Sequence, residues 1–474
     1  MKRPFRIAES ISSGLSVVLL TLRVRFGLTR SVRSTTATAA PILRSSIKTN
    51  RLLKNLAPEA AAARAAAWFQ ERIDLGPALR WMAKKTVPSH RQSWIYLLGG
   101  VAMFLFVLQL ASGCLLMLYY QPAESTAHQS VRRIMLEVPY GWLVRSMHVW
   151  GANLFIAVAG LHFLSVLFSR AYRRPRELTW ISGMVMLLLA LAFGFSGYLL
   201  PWNELAYYAT LVGTKIPAVL PGIGDLVVHF LRGGEQVTGD TITRFFAAHV
   251  MILPLCFGLF LLGHLALVQV QGMSLPLGLA ERQVKDHRPF FSEVLLLDAC
   301  VWLVLLGVIV SLSLFLPAQM GIKADPLKPA PEGIKPEWYF LFMFQTLKRL
   351  PEWLGVGLLA LGAGFLLLLP LVDRSAARQQ RDRRVTALFF AMLAYVLTFE
   401  LWAWLAPGVH QRSETLTAET YGLSGGSVSL LLLWSVIVFL VVYLRGLLDE
   451  NTRIRKLYQA EETLRSADCD GDVV

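Results

Sequence analysis

Residues 143–168 read LVRSMHVWGANLFIAVAGLHFLSVLF, and residues 244–270 read RFFAAHVMILPLCFGLFLLGHLALVQV. Each run is long and apolar enough to cross a bilayer core of about 30 Å as a helix. Each also carries two histidines, His148 and His162 in the first and His249 and His264 in the second, separated by 14 and 15 residues. Four helical turns take about 14.4 residues, so each pair stays near one helix face, its members roughly 21 Å apart along the axis. Neutral imidazole is poorly solvated in hydrocarbon, and histidines there mark a ligand, a proton path or a bound ion. Two such helices face to face present one imidazole pair near each membrane side. Each pair matches the two axial positions of a planar iron porphyrin. The pattern implies an electron path across the membrane.

The rest of the chain agrees with a membrane setting. It is 55% hydrophobic and 16% charged, with charge concentrated between apolar runs. About eight spans are expected, at roughly 94–119, 143–168, 178–200, 244–270, 292–317, 352–372, 385–406 and 427–446. A net charge of +15 raises the question of nucleic acid, but the basic residues follow the loops. Arg170, Arg173, Arg174 and Arg176 lie between spans two and three; Arg374, Arg378, Arg381, Arg383 and Arg384 lie between spans six and seven. Short basic loops stay on the cytoplasmic side, so both termini of an eight-span chain are expected there and DNA binding is not. The chain divides into an extension 1–65, a four-span part 66–290, a second four-span part 291–450 and a tail 451–474.

Up to Pro58 the extension holds 11 Lys or Arg and one acid, Glu9. Its apolar stretch Leu15–Leu22 is too short to span and lacks a convincing cleavage site. It reads as a basic surface or disordered segment, with a transit peptide as the alternative. Between Ala66 and Lys85 the spacing of Trp68, Ile73, Leu79 and Trp81 predicts an interfacial helix leading into span one. Cys114, Cys256, Cys300 and Cys469 form no C-x-x-C and no C-x-x-C-H, so an iron–sulfur cluster would belong to a partner. The three within spans read as small apolar core residues.

Glycines repeat the histidine spacing: Gly99 and Gly113 in span one, and Gly183 and Gly197 in span three, are each 14 residues apart. Missing side chains at two levels make room for a flat macrocycle at each; close helix packing is the competing explanation. Arg145 and Arg244, near the outer ends of their helices, are candidates to pair with haem propionates or to snorkel as interfacial anchors.

The strings Gly141-Trp-Leu-Val-Arg-Ser-Met-His148, Pro175-Arg-Glu-Leu-Thr-Trp180, Gly197-Tyr-Leu-Leu-Pro-Trp202, Thr243-Arg-Phe-Phe-Ala-Ala-His249 and Pro336-Glu-Trp-Tyr339 occur in that order. From Ser93 to about Val372 the chain resembles cytochrome b of the quinol-oxidising bc1 and b6f complexes, with a b6-like half fused to a subunit-IV-like half. The resemblance implies two non-covalent b-type haems, the outer on His148 and His249 and the inner on His162 and His264. It also implies a Rieske iron–sulfur protein and a cytochrome c-type subunit as partners, in a homodimeric complex. A bacterial cytoplasmic membrane is the expected location.

Within that frame, Pro336-Glu337-Trp338-Tyr339 falls in the loop between spans five and six. A carboxylate among a proline and aromatics is poorly solvated, and its pKa should rise into a range useful for accepting a quinol proton. Tyr198 and Pro201 would form the base of that outer site, with residues 201–240 as its other wall. Leu97 stands where b6 carries the cysteine that holds an extra haem covalently, so that haem is expected to be absent. The inner quinone site is poorly matched, with Lys285, His287, Glu293 and Asp298 as candidate substitutes, and Gln269 stands roughly where b6 has a basic residue. His90, His128, His229 and His410 read as surface loop residues. The expected protein is thus all-α and polytopic, with an N-terminal four-helix di-haem bundle, and serves as the cytochrome b subunit of a proton-translocating quinol:cytochrome c (or plastocyanin-like) oxidoreductase. A di-haem membrane anchor of another quinone-linked enzyme, or a non-redox transporter, are the alternatives.

Overall fold

The computed structural model describes residues 76–405, apart from 91, 278–283, 285, 332 and 374–382, together with scattered residues between 64 and 73. Seven described helices are long and apolar enough to cross a membrane: Ser93–Met117, Gly141–Ser169, Glu177–Leu199, Gly239–Gln271, Phe290–Phe315, Glu352–Val372 and Val385–Leu405. They are spans one to seven below. The eighth expected span, the tail 451–474, His410 and nearly all of the basic extension lie outside the described residues. Span four starts earlier than expected because Thr238 and Thr241 form a capping box around its first turn.

The approach to span one differs from expectation. A helix Gly76–Lys84 stops short, and Thr86–Ser89 pairs antiparallel with Asp286–Pro289 just before span five. Thr86 and Val87 are β-branched and Pro88 has no N–H to continue a helix, so the chain extends there.

Spans one to four make the first bundle. At its middle, Val101, Leu105 and Phe106 of span one meet Leu154, Phe155, Ala190, Phe257 and, from span five, Ile309. Phe106, Phe155, Phe193 and Phe257 pack ring against ring, with Phe106 and Phe257 centroids 4.3 Å apart. In each of spans one to four these residues fall between the two histidine or glycine positions, so the two levels are separated by a dry aromatic plug. A second cluster gathers the loop after span three around Leu199, Trp202, Tyr207 and Ile242. A third joins spans two, three, six and seven through Phe168, Tyr172, Trp180, Leu369 and Phe389.

Several loop residues depart from their expected surface roles. Arg170 is buried, ion-paired to buried Asp373 at 2.5 Å, and donates to the Thr386 hydroxyl. The Tyr172 hydroxyl donates to the same carboxylate at 2.7 Å. Arg173 is also buried and donates to the Leu275 carbonyl. These arginines hold the spans together at that end. His128 is buried against the Gly321 carbonyl, and His90 is half-buried against Tyr96. Cys114 and Cys300 are exposed rather than core residues: a small apolar group has no cost on a face that lipid covers.

Candidate functional site

Three of the four histidines are held by the same device. Ser112 Oγ lies 2.9 Å from His148 Nδ1 and its hydroxyl reaches the Leu108 carbonyl at 2.7 Å. Ser196 does the same for His249 with the Ala192 carbonyl, and Ser182 for His264 with the Thr179 carbonyl. A serine has one hydroxyl hydrogen; when a carbonyl takes it, the serine oxygen accepts from imidazole Nδ1–H. That tautomer leaves the Nε2 lone pair free for a metal. His162 is the exception, its buried Nδ1 having no partner among the described residues. Each serine directly precedes a glycine of the expected set, whereas Leu98 precedes Gly99. This Ser-Gly signal was present in the chain and escaped the sequence reading.

All four glycines face their histidines. A Cβ at Gly99 would lie 3.5 Å from His162 Cε1, at Gly113 3.3 Å from His148 Cε1, at Gly183 3.3 Å from His264 Cε1 and at Gly197 2.8 Å from His249 Cε1. The absent side chain leaves each imidazole ring room to lie against the neighbouring helix.

The unequal spacing of the two histidine pairs has a local cause. Residues 248–252 form a π-helical turn, closed by Leu253 N–H to the Ala248 carbonyl. Pro254 has no N–H for the usual bond, so the turn widens and absorbs one extra residue. The 15-residue interval in span four therefore behaves like the 14 of span two. The His148 and His249 ring centroids come to 6.3 Å, with ring planes at 70°. His148 and His249 would hold the metal of a group bound between them. His162 and His264 lie within electrostatic reach of each other at the second level.

Among the described residues, no three metal-ligating side chains come together. A pair of imidazoles alone would leave a bare ion short of ligands, so the group that fits must bring its own equatorial ones. Iron porphyrin would bring such ligands of its own.

A second constellation lies where spans two and three meet the loop after span five. Trp338 Nε1 donates to Asn153 Oδ1 at 2.7 Å. Tyr339 packs on Gly194 and Ile156: a Cβ on Gly194 would fall 2.8 Å from Tyr339 Cε2. Phe340 meets Phe195 and Tyr198. Glu337 caps the 3₁₀ turn Trp338–Phe340, and both Tyr198 and Tyr339 feel its charge. Burial pushes the Glu337 carboxyl above its ordinary range and the Tyr339 hydroxyl well above its own. Glu337, Tyr339 and Tyr198 thus lie within electrostatic reach of one another, and Pro336 directly precedes Glu337. The expected wall 201–240 bonds to the loop after span five: Glu204 N donates to Ile322 O, and Ala324 N to Trp202 O.

Arg145 is not a snorkelling anchor. It is buried, and its guanidinium donates to the Ala318 and Gln319 carbonyls at 2.9 Å, joined by Trp150 Nε1 on the Leu316 carbonyl. Span two therefore clamps the start of the loop that carries Glu337. Arg244 is exposed and lies over Gly233.

Comparison with known proteins agrees with this architecture. The cytochrome b/b6/petB family model matches residues 82–272, and the cytochrome b (C-terminal)/b6/petD model matches residues 323–421. A cytochrome bc complex cytochrome b subunit of Chlorobaculum thiosulfatiphilum is 45% identical over 346 residues, covering 71% of this chain and 81% of that one. The chain belongs to the cytochrome b family. Cytochrome b6 of Prochlorococcus marinus (strain AS9601) is 40% identical over 210 residues, 44% of this chain and 96% of that protein. A chain of a hyperthermophilic respiratory complex III shares the fold with TM-score 0.65 and 32% identity, over 72% of this chain and 91% of that one.

This cytochrome b is an integral membrane protein. Of its candidate inner-site residues, Lys285 lies outside the described residues and His287 is exposed on the strand before span five. Asp298 is buried and set against Gly100, beside the Gly99 that faces His162, and its Oδ1 has no hydrogen-bond partner among the described residues. One turn on, Trp302 Nε1 is also unpartnered.

Proposed function

We propose that this cytochrome b, a quinol-oxidising electron-transfer subunit of a bc-type complex, binds two b-type haems non-covalently. His148 and His249 would hold the outer one, and His162 and His264 the inner one. Bound there, the haems would supply one-electron carriers across the low-dielectric bundle. The serine bonds keep His148, His249 and His264 in the tautomer a metal needs. The single observation that carries the reading is the pairing of each histidine with a glycine at the same level. Replacing His162 with Leu should remove one haem and leave the other. A pyridine-haemochrome assay finding anything but two haems in the wild type, or two in the variant, would refute it.

Quinol oxidation releases two electrons and two protons. In the proposed site Glu337 accepts a proton, while Tyr198, Tyr339 and the Trp338–Asn153 bond hold the site around the substrate. Pro336 and Trp338 shape its backbone. The orphaned Asp298 supports an inner quinone site on span five, in place of the family's usual residues. Arg145 and Arg244 remain candidates for propionate contact, Arg145 through the edge of its guanidinium that the loop carbonyls leave. A Rieske iron–sulfur protein and a cytochrome c-type subunit complete the proposed assembly, which is dimeric. We place it in a bacterial cytoplasmic membrane with cytoplasmic termini, from the basic loops. Two four-span parts, 66–290 and 291–450, remain the proposed division; the family models fall on either side of the boundary.

A further inference from the structure

Span seven carries a carboxylate that neither haem nor quinol chemistry has used. Glu400 is 4% exposed inside a helix of apolar neighbours. An ionisable side chain costs free energy there and is retained where a partner satisfies it. Its Oε2 accepts the Phe342 backbone N–H at 3.0 Å. Phe342 is the second residue of the helix Leu341–Arg349, so this N–H is one of the helix's orphan donors, and no residue of that helix's own N-cap supplies a side-chain bond. A carboxyl oxygen from a different span caps the helix.

The capped helix begins where the quinol-site turn ends. Phe340 N–H bonds to the Glu337 carbonyl at 2.9 Å, so residues 337–349 form one continuous coil with Glu337 at its head. Two further bonds tie this stretch and the residues just before it to span seven. Lys335 Nζ donates to the Trp404 carbonyl at 3.2 Å on the near side, and the Thr346 and Tyr395 hydroxyls bond one turn beyond Phe342. Glu400 sits between these rungs and holds the first turn of the helix that follows the Glu337 turn.

We infer that Glu400 is a positioning residue for quinol oxidation: through the Phe342 N–H it fixes the coil that aims Glu337 into the quinol site. The inference rests on the quinol-site reading given above. Its work is that of a hydrogen-bond acceptor, which an amide oxygen can also do. Loss of the acceptor lets the coil shift, and small misplacements of a reacting group cost up to about a hundredfold in rate.

The test uses the assembled complex in native membranes and follows haem reduction and turnover with a short-chain quinol. Glu400→Leu is expected to lower kcat about ten- to a hundredfold with KM unchanged, while haem content and spectra stay as in the wild type. Glu400→Gln should restore most of that loss, because its amide oxygen can take the same N–H. Wild-type kcat in Glu400→Leu overturns the inference, as does a Glu400→Gln variant as slow as Glu400→Leu. If Glu400→Leu does not assemble, Glu400→Asp decides: the withdrawn carboxylate should lower kcat, and an unchanged kcat overturns the proposal. Glu337→Gln is run alongside. A wild-type rate in that variant would refute the quinol-site reading itself, whereas a slow Glu337→Gln with a normal Glu400→Leu removes Glu400 alone.

Discussion

The four glycines that face the histidines make a graded experiment. Carbon atoms in ordinary contact sit about 3.5–4.0 Å apart. A methyl group at Gly99 would stand 3.5 Å from His162 Cε1 and is accommodated; at Gly113 and Gly183 the distance is 3.3 Å, and at Gly197 only 2.8 Å from His249 Cε1. His249 cannot easily swing away, because Ser196, the residue beside Gly197, holds its Nδ1 at 2.9 Å. Overpacking a fitted site costs about 1–3 kcal/mol. Taken from cofactor binding, that is roughly a five- to 150-fold loss of retention. At Gly99 the alanine also gains up to about 1 kcal/mol of helix propensity, which offsets a mild contact. Gly197→Ala should therefore lose the outer haem first, Gly113→Ala and Gly183→Ala should lose part of one haem each, and Gly99→Ala should keep both. The assay is pyridine-haemochrome stoichiometry with reduced-minus-oxidised spectra on washed, purified complex. Equal retention in all four variants, or Gly99→Ala as the worst, would show that the glycines do not serve the haems.

Glu337→Gln is expected to slow quinol oxidation by about one to two orders of magnitude, with both haem spectra unchanged. Because burial raises the Glu337 carboxyl, and a base works only when ionised, the wild-type rate should fall on acidification through a limb above the ordinary carboxylate range. The Gln variant should lack that limb in a pH–rate profile. With Leu97 in place of a thiol, denaturing electrophoresis stained for haem should leave no haem on the polypeptide; a persistent band at its own mass would reveal an unrecognised attachment. Arg170→Leu removes the ion-pair partner of the buried Asp373 carboxylate, at 2.5 Å, and should destabilise the complex by up to about 3–5 kcal/mol. Thermal loss of the haem bands in detergent measures this, and an unshifted transition would mean that Tyr172 and other contacts suffice.

The amino-acid order by itself determined the membrane class, the paired histidines, the glycines in step with them and the Pro336–Tyr339 segment. These are local facts: run length, spacing along one helix and a short string of chemistry. Even the π-helical turn was written locally, in Pro254 six residues after Ala248. What only the tertiary structure decided was which surfaces meet. Arg145 and Arg170 read as loop-end cations and turned out to be buried clamps on carbonyls and on Asp373. Cys114 and Cys300 read as core and face outward. Glu400 and Asp298 acquired neighbours, Phe342 and Gly100, that no spacing announces. The physical reason is the solvent. In water an amphipathic stripe declares the buried face of a helix, but a span is apolar on every side, because lipid and protein interior make the same demand. Its facing is settled by shape and by the few polar groups that must find partners, and those partners sit on other helices.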